Sequence, residues 1–161
     1  MKTIVQKLLC VALLMLPYYG FSQSGYQATN PDVNGIFIGS TYTKTQVEAK
    51  WGKPTEYASN MSEFGLDEQY DYLVNQMDNQ FHFSENGVFD TFNVKTPNFV
   101  VYTALSGGIK VGDNISRIKA IGLGTPELQK DGSYRVPAGD DLFAFVQKNG
   151  VITEIYFVSL D

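Results

Sequence analysis

Two Asn-Gly dipeptides, each set between runs of alternating apolar residues, constrain this chain more than any other feature. Asn86-Gly87 follows Phe81-x-Phe83 and precedes Val88, Phe92 and Val94, while Asn149-Gly150 joins the apolar stretches 142–147 and 151–158. Asn and Gly accept the positive φ angles of a tight hairpin, and period-two spacing sends alternate side chains to opposite faces of a strand. Two hairpins are therefore expected. Tyr70 and Tyr72 open the series of strands, and residues 99–102 form a further extended run.

The segments ahead of these strands also correspond. Residues 36–39, Ile-Phe-Ile-Gly, are matched by 109–112, Ile-Lys-Val-Gly. In the first, Thr43 and Gln46 have the spacing of a capping box, Val47 and Trp51 share a helical face, and Gly52 and Pro54 end the helix. In the second, Asp113 or Asn114 caps a helix carrying Ile115, Ile118 and Ile121, closed by Gly122, Gly124 and Pro126. Residues 55–66 read as a polar connection and 106–108 as a flexible separator. These features predict an α+β fold: a tandem repeat of a short helical unit and an antiparallel β-sheet, in one domain with a curved sheet. Residues 24–35 are a lead-in segment, 36–105 the first repeat and 106–161 the second. Each half alone is marginal as a core, which favours packing the two together.

Residues 1–23 read as a removable export signal, with Lys2 and Lys7 ahead of the apolar run 8–16 and Phe21-Ser22-Gln23 as a cleavage region. The expected location is periplasmic or extracellular. The only cysteine, Cys10, lies in that run, so the mature chain is expected to lack disulfides, thiolate nucleophiles and cysteine zinc sites. Losing Lys2 and Lys7 takes the formal net charge from −5 to −7, a balance that repels phosphate backbones and argues against a nucleic-acid partner. No later stretch approaches the roughly 20 apolar residues of a membrane span.

Thr43, Val47, Trp51, Gly52 and Pro54, followed by Phe81-x-Phe83-x-x-x-Gly87-Val88, resemble the repeat of the β-lactamase-inhibitor-protein-like fold, also used by the SmpA/OmlA outer-membrane assembly lipoproteins. The resemblance covers about residues 36–158. It implies a helix-loop-helix packed on an antiparallel sheet, twice over, and an envelope binding role without catalysis.

His82 is the only histidine, and no local motif supplies it with a nucleophile and an orienting acid. Placed between Phe81 and Phe83, it should face away from the core. Asp67, Glu68 and Asp71 form one acidic cluster and Asp140-Asp141 a second. These read as solubilising charge, with a small hydrolase using Asp71 and Asp141 as the alternative. Asn30-Pro-Asp32-Val-Asn34-Gly35 imitates the opening of a calcium loop but lacks its final glutamate, so an Asx turn is expected. In the last strand, Val151, Ile155 and Phe157 alternate with Ile152, Tyr156 and Val158, making both faces apolar. An open apolar face marks an interaction site. The expected function is non-catalytic binding of a protein or other envelope macromolecule, with Tyr70, Tyr72, His82 and Tyr156 as sheet-face contacts and no cofactor. A small-ligand carrier is a further alternative.

Overall fold

The computed structural model describes residues 31–103, 106–120 and 124–159. The expected export signal, Ile121 and Gly122 lie outside these residues. The described chain is mostly strand and corrects the predicted α+β helix-loop-helix repeat. Among the described residues, two antiparallel sheets are accompanied by one α-helix, α1 (Lys44–Trp51), and a short 3-10 helix, Ile115–Ala120.

The small sheet is formed by β1 (Asp32–Val33), β2 (Ile36–Phe37), β7 (Val101–Thr103) and β8 (Ser106–Ile109), in the order β2-β1-β7-β8. The large sheet contains β3 (Glu56–Ser62), β4 (Gly65–Val74), β5 (Met77–Ser84), β6 (Val88–Val94), β9 (Glu127–Leu128), β10 (Tyr134–Ala138), β11 (Asp141–Lys148) and β12 (Val151–Val158). Its order is β3-β4-β5-β6-β12-β11-β10-β9. Two four-strand meanders thus meet at their last strands, β6 and β12.

The helix expected at 43–51 forms because its ends are satisfied locally. Gln46 N–H donates to Thr43 Oγ1, the Gln46 side chain accepts from Thr43 N–H (2.8 Å), and Gly52 at φ 81° closes the other end. In the second half, the predicted isoleucine helix is instead the 3-10 helix, of which Ile118 is buried and Ile115 partly buried. Residues 55–66, read as a connection, contain β3. This strand carries no buried alternation because it is an exposed edge. Residues 106–108 likewise belong to β8, whose hairpin with β7 runs across the expected repeat boundary at 105/106.

The two Asn-Gly hairpins receive the preceding loops in the same way. Gly39 N–H donates to Phe89 O, Phe89 N–H to Ser40 O, and Tyr42 N–H to Gly87 O. In the other half, Gly112 N–H donates to Ile152 O, Ile152 N–H to Asp113 O, and Ile115 N–H to Gly150 O, all between 2.8 and 2.9 Å. Each loop is thereby stitched to the strand leaving its turn.

The core lies on one face of the large sheet. Trp51 packs on Phe81 with ring centroids 4.3 Å apart and also meets Tyr72, Phe83, Phe89 and Phe99. Its indole N–H donates to Val33 O (3.1 Å), tying α1 to the small sheet. Rings continue across the β6–β12 seam through Phe92, Phe157 and Phe143. Buried Asn79 donates to Tyr72 O and accepts from the Lys95 and Thr96 backbone N–H groups, so both ends of its amide are engaged.

Candidate binding face

Because α1, the 3-10 helix and the small sheet contribute to one core cluster against the large sheet, the other face of that sheet carries the alternate side chains of every strand. Cross-strand register aligns these into a continuous row: Glu56, Asp71, Gln80, Asn93, Tyr156, Ala144, Arg135 and Glu127. A neighbouring row runs through Gln69, His82, Thr91, Val158, Leu142 and Pro137. On β4–β6 the face is made of amides, a histidine, a threonine and carboxylates, with the exposed Leu73 opposite Asp78 as its apolar exception. On β10–β12 it is largely apolar, with half-buried Leu142, Val146 and Val158 around buried Ala144.

The polar side chains are held by their neighbours. Gln69 Nε2 donates to both Asp71 carboxylate oxygens (2.9 and 3.0 Å), and Gln80 Nε2 donates to Asp78 Oδ2 (2.8 Å). His82 Nδ1 donates to Asp90 Oδ1 (2.9 Å). Asp90 reaches His82 because the β5–β6 register slips between His82 and Phe83, so that His82 faces Thr91 while Phe83 faces Phe89. At the centre of the row, Asn93 Oδ1 is buried and finds no hydrogen-bond partner among the described residues. Gln80 and Tyr156 flank it.

Of the four predicted contact residues, His82 and Tyr156 lie on this face, separated by β6. Tyr70 and Tyr72 do not. Tyr70 is paired with Phe81 and therefore shares its core face, as does Tyr72. Both tyrosines are buried, and their hydroxyls are satisfied there: Tyr72 donates to Gly52 O (3.0 Å) and Tyr70 to Glu68 Oε1 (3.2 Å). Burial, reinforced by the Glu48 charge, pushes the Tyr72 phenol up to about 12. Burial, together with the Glu68 carboxylate, pushes Tyr70 up as well.

Glu68 also departs from its reading as solubilising charge. It is buried on the core face and accepts from Tyr57 and Tyr70, whereas Asp67 and Asp71 turn to the other side. Lys44 Nζ sits 3.3 Å above the Tyr57 ring at the rim of this cluster. The apolar reading of both faces of β12 needs correction too. A register shift opposite Val146/Gln147 leaves Thr153 without a β11 partner, so Ile152 joins Ile155 and Phe157 in the core.

The structure does not bring together the carboxylates of the hydrolase alternative. Asp71 on β4 and Asp141 on β11 are separated by four strand steps, roughly 19 Å, beyond the 5 to 9.5 Å that glycoside hydrolysis uses. Asp141 instead accepts from Ser159 Oγ (3.0 Å). A shallow groove lined by Thr55, Glu56, Asp71, Leu73 and Asp78 lies beside the polar end of the face. In the calcium-like segment, whose Asn30 lies outside the described residues, Asp32 Oδ1 accepts from Gly35 N–H three residues on (2.7 Å), one residue further than in the expected Asx turn, with Asn34 at φ 47°. Among the described residues, no group of three or more His, Cys, Asp or Glu side chains is arranged to hold a metal. No helix among them is long and apolar enough to cross a membrane.

Compared with protein-family models, curated proteins and solved structures, the chain yields no match. No functional residue is thereby carried over from a relative, and the candidate face stands on its own geometry.

Proposed function

We propose that the protein is a non-catalytic binding protein of the cell envelope that receives another macromolecule on the open face of its large sheet. The supporting observation is the unbroken cross-strand row from Asp71 to Arg135 on that face, with half-buried Tyr156 near its centre. Side-chain amides already held by carboxylates lose little freedom on binding, and a tyrosine offers a large contact area with a polar tip. The apolar half on β10–β12 supplies area to bury, and the polar half supplies directional contacts. Placement in the envelope rests on the export-signal pattern of residues 1–23. The acidic net charge favours a protein or other non-nucleic partner.

The test is retention of a partner from an envelope extract on immobilised protein. Wild type should retain one, and Tyr156→Arg should lose it while keeping the wild-type melting temperature. Phe157→Ala, one residue along but facing the core, should instead cost about 3–5 kcal/mol of stability. Retention that survives Tyr156→Arg, or no retention by wild type, counts against the reading.

A further inference from the structure

The two ends of the large sheet differ. β9 closes one end with two residues, and β3 closes the other with seven. An exposed edge is an invitation to pair unless it is short, bulged, charged or interrupted by proline. β9 is protected by its length. β3 has a regular register with β4 from Glu56 to Ser62, no proline, and its only charge at the first position.

The direction of its free backbone groups follows from contacts on β4. Asp71 O accepts from Thr55 N–H (2.8 Å) and Leu73 N–H donates to Thr55 Oγ1 (3.0 Å), so the odd-numbered residues of β4 address β3. Leu66 O accepts from Asn86 N–H (3.0 Å), so the even-numbered residues address the opposite side. By the alternation of an antiparallel ladder, the β3 residues facing the even set, Tyr57, Ser59 and Met61, turn their N–H and C=O groups off the edge.

We propose that two copies of this chain pair antiparallel along β3, with the two Ser59 residues facing each other. The sequence is self-complementary in that register. Tyr57 faces Met61 of the second copy, and each of the three facing pairs exchanges both backbone hydrogen bonds. Tyr57 and Met61 share the core-side face, so the pairing sets a thioether beside an aromatic ring and covers a methionine that is 71% exposed in the single chain. Glu56 faces the uncharged Ser62, which avoids like-charge contact. Antiparallel pairing also brings the Lys53 end of one strand to the Glu63 end of the other, an opposite-charge match made twice. The two-fold axis stands normal to the sheet, leaving both open faces on the same side.

Sedimentation of the purified chain at about 10–200 µM should show reversible dimers, and Ser59→Lys should weaken them by about tenfold or more with unchanged circular dichroism and melting temperature. In a Cys10→Ser background, Ser59→Cys should form a disulfide-linked dimer on mild oxidation and Asn60→Cys should not. The proposal is overturned if wild type stays monomeric across that range, including the case in which it accepts only a foreign strand peptide. It is equally overturned if Ser59→Lys dimerises as well as wild type, or if Asn60→Cys links as efficiently as Ser59→Cys.

Discussion

Tyr70 and Tyr72 set the limit on what single positions reveal. Alternation along 70–72 was legible, but which of two faces is buried depends on the register with β5, and Tyr70 opposite Phe81 decides it. Their burial has a measurable consequence. The unfolded phenol titrates near 10, whereas the folded Tyr72 is pushed up to about 12 and Tyr70 is raised as well. The folded state therefore holds these protons longer than the unfolded one. The associated stability is complete below about pH 10 and is lost as pH rises toward 12. Denaturant unfolding at stepped alkaline pH should show that decline, and Tyr72→Phe should make it shallower while leaving the share that belongs to Tyr70. A decline identical in the variant would contradict the assignment. Glu68 is the complementary case: a carboxylate among Asp67 and Asp71 reads as solvated, and only the pairing with Tyr57 and Tyr70 shows it to be interior.

Among elements, those with local determinants were the most legible. The capping box of α1 and the two Asn-Gly turns depend on residues within a few positions of one another, and all form where the sequence places them. Elements defined by distant pairing were not legible. β3 has no periodicity, the β4–β5 turn at Asn75-Gln76 uses positive φ without glycine, and β8 is written in Ser-Gly-Gly. The two hairpin glycines separate local from long-range demands. Gly87 and Gly150 both have positive φ, but a methyl at Gly87 would run into the Tyr42 carbonyl oxygen, while nothing stands near Gly150. Gly150→Ala should cost about 1 kcal/mol from conformation alone, and Gly87→Ala should cost clearly more. Thermal melts of the two variants compare them directly, and equal losses would show the Tyr42 loop to be loosely held.

For the whole molecule, the candidate face was legible in part. His82 and Tyr156 were placed on it from alternation alone, but the row linking them depends on β6 meeting β12, a pairing between residues about 60 positions apart that no local pattern announces. The bulges at Asp90 and Thr153 were hidden for the same reason, since a bulge is defined only against a partner strand. The position of Trp51 also gives the molecule a built-in optical gauge. It is the chain's sole tryptophan, wedged between the large sheet's rings and the Val33 carbonyl of the small sheet, so its emission senses whether the two remain docked. Because both sheets feed one continuous core, emission and far-ultraviolet dichroism should trace coincident denaturation curves. An emission shift preceding the loss of strand signal would instead show the small sheet peeling away first, exposing the aromatic floor beneath it.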